Sequence, residues 1–215
     1  MDRRDVPRRA GRLLQRAQHA RLHRHVRRPA GVGTGLGYGQ PSLAIYAHEL
    51  FTDYAVQQVV RVGSCGALVP QLGMRDLVLA ISASTDSATN RIRFERLDYA
   101  AAADFAVLSA AYDVATGRGT PVTVGQVLST DWFYSDRPEL AARLTEYGVV
   151  AAEMEANALY TLAAKHGRRA LAVCTVSDHL HTGEAATALE REQTFAQMVE
   201  VALEAMLDVP LPAAD

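Results

Sequence analysis

Short apolar runs alternate with helix-patterned stretches along most of this chain, and this alternation constrains the fold more than any other feature. The clearest run, Val149 to Glu153, passes directly into apolar residues at helical spacing between Ala156 and Ala163. Alternating strand and helix signals are typical of α/β proteins, in which helices cover both faces of a sheet. We therefore predict a single-domain α/β fold, with a central mixed β-sheet flanked by helices, over residues 35–215.

The boundaries of the predicted elements follow from caps, glycines and prolines. Thr187 and Glu190 have the spacing of a capping box at the start of the last helix. The polar run from Ser82 to Asn90 predicts a loop. The remaining patterns predict strands over 59–66, 76–84, 121–128, 149–153 and 170–176, and helices over 41–54, 104–116, 156–166 and 188–207.

Two carboxylates, Glu153 and Glu155, stand at the end of the predicted central strand, on either side of Met154. Open α/β sheets bind ligands beyond the carboxyl ends of their strands. An ionised carboxylate accepts two donors at once, so the pair suits a ligand that carries hydroxyl groups. The alternative is that these acids cap the N-terminus of the following helix, where the helix dipole favours negative charge.

Arg61 lies inside the otherwise apolar strand over 59–66, where a charge is costly without an anionic partner. Ser64 and the backbone N–H groups of the glycine turn that follows add donors for the same anion. Because arginine binds phosphate in a bidentate manner, Arg61 and Ser64 are candidate phosphate ligands. The alternative partner of Arg61 is an internal acid.

Further candidate groups follow other strands. Asp178 ends the last predicted strand, and the aromatic run 132–134 follows the third, where it suits stacking on a flat ring or anchoring of a surface loop. Arg191 lies in the first turn of the last helix, where the dipole disfavours a cation, so it is either an ordinary exposed arginine or the partner of a specific acid. The strand ends that carry Arg61, Glu155 and Asp178 are expected to converge on one ligand cleft.

Composition narrows the possible classes of protein. Cys65 and Cys174 form neither a disulfide framework nor a C-x-x-C pair, so a reducing, cytoplasmic setting is predicted. Cys174 is expected in the core. No run of 18 apolar residues exists, so no membrane-spanning helix is expected. The alternating glycines over 31–39 match neither a dinucleotide-binding nor an ATP-binding loop. The net charge of −2 argues neither for nor against a nucleic-acid partner.

Residues 1–34 differ from the rest of the chain. Residues 1–30 contain ten arginines against two aspartates and carry +8, so the remaining 185 residues carry −10. This composition predicts a weakly ordered, solvated tail. The alternatives are a nucleic-acid-binding arm, an organellar transit peptide, or a start that is misassigned or out of frame in a GC-rich gene.

Several sequence blocks occur in a fixed order along most of the chain. They are Gly37–Ser42, Arg61–Ala67, Thr85–Ser87, Asn90–Phe94, Asp131–Tyr134, Glu153–Ala156 and Thr175–His179. Together they resemble the bacterial, hexameric type of purine nucleoside phosphorylase, from about Gly35 to about Leu207. The resemblance implies the phosphorylase/nucleosidase-like fold and reversible phosphorolysis of purine (deoxy)ribonucleosides to free base and (deoxy)ribose 1-phosphate.

The resemblance also implies roles for individual residues. Asp178 is the implied general acid, which protonates N7 of the purine, and Arg191 assists it. Glycosidic cleavage builds positive charge on the sugar and negative charge on the leaving base, so an acid, a nucleophilic anion and sugar-binding acceptors are all needed. The implied sets are catalytic Asp178 and Arg191, phosphate-binding Arg61 and Ser64, ribose-binding Met154 and Glu155, and base-binding Cys65, Gly66, Phe133, Ala152, Glu153 and Ser177.

Inorganic phosphate is the implied co-substrate, with no metal or organic cofactor and neither nucleic acid nor membrane as a partner. The implied assembly is a homohexamer, built as a trimer of dimers with sites completed at subunit interfaces. Two departures from the family concern phosphate and ribose binding: its N-terminal Gly-Asp-Pro-x-Arg-Ala loop has no clean equivalent, and Tyr38 replaces a methionine. The alternatives are therefore a related nucleosidase, a uridine phosphorylase, or a catalytically impaired homologue.

Overall fold

The computed structural model describes residues 33–35, 37–180 and 182–211. The chain divides into residues 1–37 and 38–215, and every helix and strand described below lies in the second unit. The described residues of the first unit, 33–35 and 37, lie in neither helix nor strand. The predicted N-terminal segment 1–34 lies almost entirely outside the described residues, so its interpretation stays a prediction.

Strands and helices alternate along the second unit as the sequence predicts, with most predicted boundaries within three residues. The predicted loop at 82–90 is confirmed only for residues 86–88, because a strand continues through Thr85 and a short helix begins at Thr89. The elements are α1 Gly39–Thr52, β1 Gln58–Ala67, β2 Leu77–Thr85, α2 Thr89–Arg93, α3 Phe105–Gly117, β3 Val122–Ser129, α4 Pro138–Glu146, β4 Val149–Glu153, α5 Ala156–Lys165, β5 Arg169–His179 and α6 Ala188–Asp208.

Two helix starts have the side-chain caps that fix where each helix begins. In α6, Thr187 Oγ1 accepts from the backbone N–H of Glu190, while the Glu190 carboxylate accepts from the N–H of Thr187, so the predicted capping box is confirmed. In α3, Asp104 accepts from the N–H of Val107 at 3.1 Å. Each cap satisfies backbone donors that the helix itself leaves unpaired.

The five strands form a mixed sheet in the order β1-β4-β3-β2-β5, and β5 pairs with β1 to close it into a barrel. The β1–β5, β3–β4 and β2–β3 pairs are parallel, whereas β1–β4 and β2–β5 are antiparallel. The predicted central mixed sheet with flanking helices is therefore confirmed, but its closure was not predicted. Closure brings β1, between β4 and β5, beside both strands that carry candidate acids.

Helices cover the sheet on more than one side. α3 and α6 pack with β2 and β5 around a core that includes Leu79, Val107, Val173 and Val201. α5 contacts α1 as well as β2 and β5. Residues 156–163 of α5 are all buried, as expected for a helix with sheet on one side and helix on the other.

Candidate active site

Arg61 is the charged centre of the region where β1, β4 and β5 meet. Its Nη1 donates to Cys174 Sγ at 3.3 Å, its Nη2 donates to Glu155 Oε2, and its Nε lies 3.5 Å from Glu153 Oε2. Burial by itself lowers the pKa of Arg61, but the charges of Glu153 and Glu155 outweigh it, so the pKa is held above its usual range. In this structure Arg61 therefore pairs with internal acids, which was the alternative to a phosphate ligand.

Gly63 gives the Arg61 guanidinium the space that it occupies. A Cβ atom built on Gly63 would lie 2.8 Å from Nη1 of Arg61, closer than such atoms approach in proteins. Both residues lie on the same face of β1 because they are two positions apart in a strand. The Arg-Val-Gly spacing in the sequence is therefore a packing requirement of the buried guanidinium.

Glu153 has its carboxylate wholly inside the protein, with a side-chain exposure of 0%. Its oxygens accept from Ser129 Oγ, from the N–H of Glu155 at 2.9 Å, and from the N–H of Ala156 at 3.0 and 3.1 Å. With Arg61 Nε also nearby, these donors fill the roughly four acceptor sites of a carboxylate. The capping alternative is therefore what the structure shows for Glu153, at the start of α5.

Glu155 has different partners, although it is only two residues away. Its Oε1 accepts from the backbone N–H of Gly39 at 2.6 Å, its Oε2 accepts from Arg61, and its side chain is 7% exposed. Glu155 therefore joins the start of α1 to the Arg61 guanidinium. Of the two acids, Glu155 is the one that retains acceptor capacity for a ligand.

The predicted general acid and most of the predicted base-binding residues surround the end of β1. Gly66 of β1 pairs with Ala152 of β4 on one side and with Asp178 of β5 on the other. Ser177 Oγ lies 2.7 Å from Asp178 Oδ2 and 3.5 Å from the carbonyl oxygen of Cys65. The structure thus brings these candidates together around Gly66.

The two cysteines lie beside this cluster. A hydrogen bond with Cys174, together with burial, raises the pKa of the Cys65 thiol well above its usual range. Both cysteines are free and buried, so the prediction that Cys174 belongs to the core is confirmed. Cys174 also accepts a hydrogen bond from Arg61, the charged residue within the otherwise apolar strand β1.

A second polar network was not predicted as part of the site. Gln40 Nε2 donates to Thr85 Oγ1 at 2.8 Å and to Asp131 Oδ1 at 3.1 Å, and Thr85 Oγ1 donates to the Ser129 carbonyl at 2.7 Å. Ser129 in turn donates to Glu153. This network joins α1 to the ends of β2 and β3, and the available sequence signal was polar residues at the ends of otherwise apolar strands.

Four predicted site residues make none of the contacts described above. Ser64 is exposed and three positions from Arg61, so in the regular strand their side chains project to opposite faces. Phe133 is 71% exposed and packs edge-on against Tyr134, while Met154 is half-buried in the turn between β4 and α5. The Arg191 backbone lies in α6, and its side chain is outside the described part of the structure.

Two further properties of the described residues concern metal binding and membranes. Within residues 33–35, 37–180 and 182–211, no group of three or more His, Cys, Asp or Glu side chains is arranged to hold a metal ion. Over the same described residues, no helix combines the length and apolar character needed to cross a bilayer.

The closed mixed sheet defines an α/β protein in which a buried arginine is held by two glutamates, next to a strand end that carries an aspartate. A cation, an acceptor and an acid are the kinds of group that glycosyl transfer to an anion needs. The chain belongs to the phosphorylase superfamily, whose family model matches residues 14–209.

Curated relatives of high sequence identity support the same family membership. The chain is 53% identical over 169 residues to a DeoD-type purine nucleoside phosphorylase of Bacillus subtilis, covering 79% of this chain and 72% of the relative. It is 54% identical over 175 residues to the enzyme of that name from Geobacillus kaustophilus, covering 80% and 73%. The DeoD-type purine nucleoside phosphorylase of Colwellia psychrerythraea is 49% identical over 173 residues, which cover 80% of this chain and 74% of the relative.

Proposed function

We propose that this chain catalyses reversible phosphorolysis of purine (deoxy)ribonucleosides, giving a free purine base and (deoxy)ribose 1-phosphate. The observation that carries the proposal is the Arg61–Glu155 pair beside the strand end that holds Asp178, in a chain about half identical to enzymes named purine nucleoside phosphorylase. These neighbouring strand ends therefore combine a cation for phosphate, an acceptor for sugar hydroxyls and an acid for the leaving base.

The reaction requires each of these groups at a separate atom of the substrates. Phosphate attacks the anomeric carbon as the bond to the purine breaks, so the sugar gains positive charge and the base gains negative charge. Arg61 binds the attacking anion, because a guanidinium offers several donors in a fixed plane. Asp178 gives a proton to N7 of the departing purine, with Arg191 as its assistant.

Glu155 orients the sugar by accepting hydrogen bonds from its hydroxyl groups. Its carboxylate is nearly buried, so a sugar that replaces its internal donors is held with little competition from water. Met154 packs against the same sugar. The purine lies against Cys65, Gly66, Ala152 and Ser177, with Phe133 stacking on it and Glu153 holding the pocket in place.

The remaining parts of the proposal concern the co-substrate, the assembly and the N-terminus. Inorganic phosphate is the co-substrate, and no metal or organic cofactor takes part. Residues 35–215 form the catalytic domain of a homohexamer, with sites completed across subunit interfaces. The enzyme works in the cytoplasm. The exposed aromatic ring of Phe133 is consistent with a site that a second subunit covers.

The proposal is tested with inosine as substrate, by following hypoxanthine release with and without phosphate. Base release that depends on phosphate and yields ribose 1-phosphate is expected. Release without phosphate would indicate a nucleosidase, cleavage of uridine but not inosine would indicate a uridine phosphorylase, and no cleavage of either nucleoside would indicate an impaired homologue. Each of these three outcomes contradicts the proposed function.

The role of Asp178 is tested by the Asp178→Asn variant. Loss of a general acid lowers kcat by roughly 10²- to 10⁴-fold, so we expect a loss of that size with inosine. Asp113→Asn serves as the control, because Asp113 is exposed on α3, outside the cleft. A kcat for Asp178→Asn that matches the control would remove Asp178 from the mechanism.

A further inference from the structure

Arg61 has two acidic neighbours, and they differ in how firmly the protein holds them. Glu153 has no exposed side-chain surface and accepts from Ser129 and from two backbone N–H groups at the start of α5. Its carboxylate cannot leave Arg61 without abandoning those donors. Glu153 is therefore a fixed counter-ion of the guanidinium.

Glu155 is held by fewer groups. Apart from Arg61, its side chain accepts from the N–H of Gly39, and 7% of it reaches the surface. Rotation of this carboxylate away from Arg61 breaks one ion pair and leaves the Glu153 network intact. Glu155 is therefore an exchangeable counter-ion of the guanidinium.

The two substrates of the proposed reaction each require one partner of this pair. Phosphate needs the N–H donors on the two Nη atoms of Arg61, and Nη2 already donates a hydrogen bond to Glu155. Sugar hydroxyls need the Oε2 acceptor of Glu155, which Arg61 occupies. In the structure as it stands, the phosphate-binding and sugar-binding groups neutralise each other.

We propose that the Arg61–Glu155 ion pair is an internal lock that couples the two substrates, so that binding of either one opens the site for the other. This inference rests on the proposed function. The first ligand must break the ion pair and binds weakly, whereas the second ligand finds its partner already released and binds more tightly. The sign of the coupling is positive, and linkage makes it equal in both directions.

The coupling predicts how phosphate affinity depends on the sugar. We expect saturation with a non-cleavable carbon-linked purine nucleoside to tighten phosphate binding by about tenfold, within the roughly 5- to 150-fold range typical of coupled sites. The same analogue without its 2′- and 3′-hydroxyls engages the base pocket but offers no donor to Glu155. It should leave the phosphate Kd unchanged.

The test is isothermal titration of phosphate into the full-length protein, alone and with each of the two analogues at saturation. Glu155→Gln keeps the side-chain shape and one neutral acceptor but removes the charge that holds Arg61. This variant should bind phosphate more tightly than wild type in the absence of nucleoside. Its phosphate Kd should no longer respond to the hydroxylated analogue. Circular dichroism and Tm confirm that the variant is folded.

Different results overturn different claims. Binding of both phosphate and nucleoside by wild type, with a phosphate Kd that neither analogue changes, would overturn the lock and leave the proposed function standing. Equal tightening by the hydroxylated and dideoxy analogues, or tightening that survives in Glu155→Gln, would overturn it as well. Failure of wild type to bind either ligand would overturn the proposed function itself, and the lock with it.

Discussion

The contrast between the two acids beside Arg61 predicts a large difference in folding stability between two isosteric variants. Glu153→Gln puts an amide NH₂ where the carboxylate accepts from Ser129, Glu155 and Ala156, so at least one buried donor meets another donor. It also removes the fixed counter-ion of Arg61. Glu155→Gln also removes an ion pair with Arg61, but it changes only one backbone contact, and Arg61 keeps Glu153 beside it.

The magnitudes follow from the partners that each carboxylate has. Removing one partner of a buried ion pair costs about 3–5 kcal/mol when the other charge is left alone, but in either variant the second carboxylate stays beside Arg61 and offsets most of this cost. The difference arises from hydrogen bonds, because each one lost to the charged Glu153 acceptor adds about 1.5–3 kcal/mol. We expect a net loss of roughly 4 kcal/mol for Glu153→Gln and roughly 1 kcal/mol for Glu155→Gln.

The assay is thermal unfolding followed by circular dichroism, at one fixed protein concentration because assembly shifts the apparent Tm. For a chain of this size each kcal/mol lowers Tm by about 2–4 °C, so Glu153→Gln should lower it by roughly 8–16 °C and Glu155→Gln by only about 2–4 °C. Equal shifts for the two variants, or a larger shift for Glu155→Gln, would refute the distinction between a fixed and an exchangeable counter-ion.

Three further predictions concern positions around the same core. Gly63→Ala should raise the KM for phosphate by roughly tenfold, because its Cβ displaces the guanidinium of Arg61. Gly125→Ala, whose Cβ would lie 2.5 Å from a Val150 methyl, should lower Tm and leave that KM unchanged. Tyr160→Phe should cost about 1–3 kcal/mol in urea unfolding without changing kcat, because the buried hydroxyl bonds to the backbone at 2.5 and 2.9 Å; an unchanged midpoint would contradict this. Hydrogen bonds from Thr187 and the Arg75 charge hold the pKa of Glu190 below its ordinary 4.5, so its stabilisation is present above pH 4.5 and is lost as the pH falls through the folded-state pKa. Wild type and Glu190→Gln should therefore differ in Tm at neutral pH and converge in acid, and a constant difference would contradict this.

Most of the fold could be predicted from the sequence, because each strand and each long helix has its own hydrophobic periodicity. The capping box at Thr187 and the buried strand around Cys174 are local patterns that the structure confirms. Closure of the sheet could not be read in the same way, because it depends on pairing between β1 and β5, which are about a hundred residues apart. The polar run at 82–90 misled for a physical reason: Thr85 is polar because it bonds to Ser129 at the strand end.

The site could be predicted only in part, because the sequence shows residue types but not the contacts that they make after folding. Residue types at the strand ends pointed to Arg61, Glu155 and Asp178, and backbone pairing brings their strands together. The residue pattern alone could not distinguish Glu153 from Glu155, and only the family resemblance separated their roles, because the difference arises from which donors face each carboxylate in the folded chain. The opposite orientation of Ser64 follows from strand geometry once the register is known.

The most direct test of the central claim is a crystal structure of this protein with phosphate and a non-cleavable purine nucleoside bound. The account predicts phosphate oxygens on the Arg61 guanidinium, sugar hydroxyls on the Glu155 carboxylate, and Asp178 within hydrogen-bond distance of N7 of the base. It also predicts that Glu153 keeps its bonds to the start of α5. An Arg61–Glu155 pair that stays closed while both ligands bind elsewhere would contradict it.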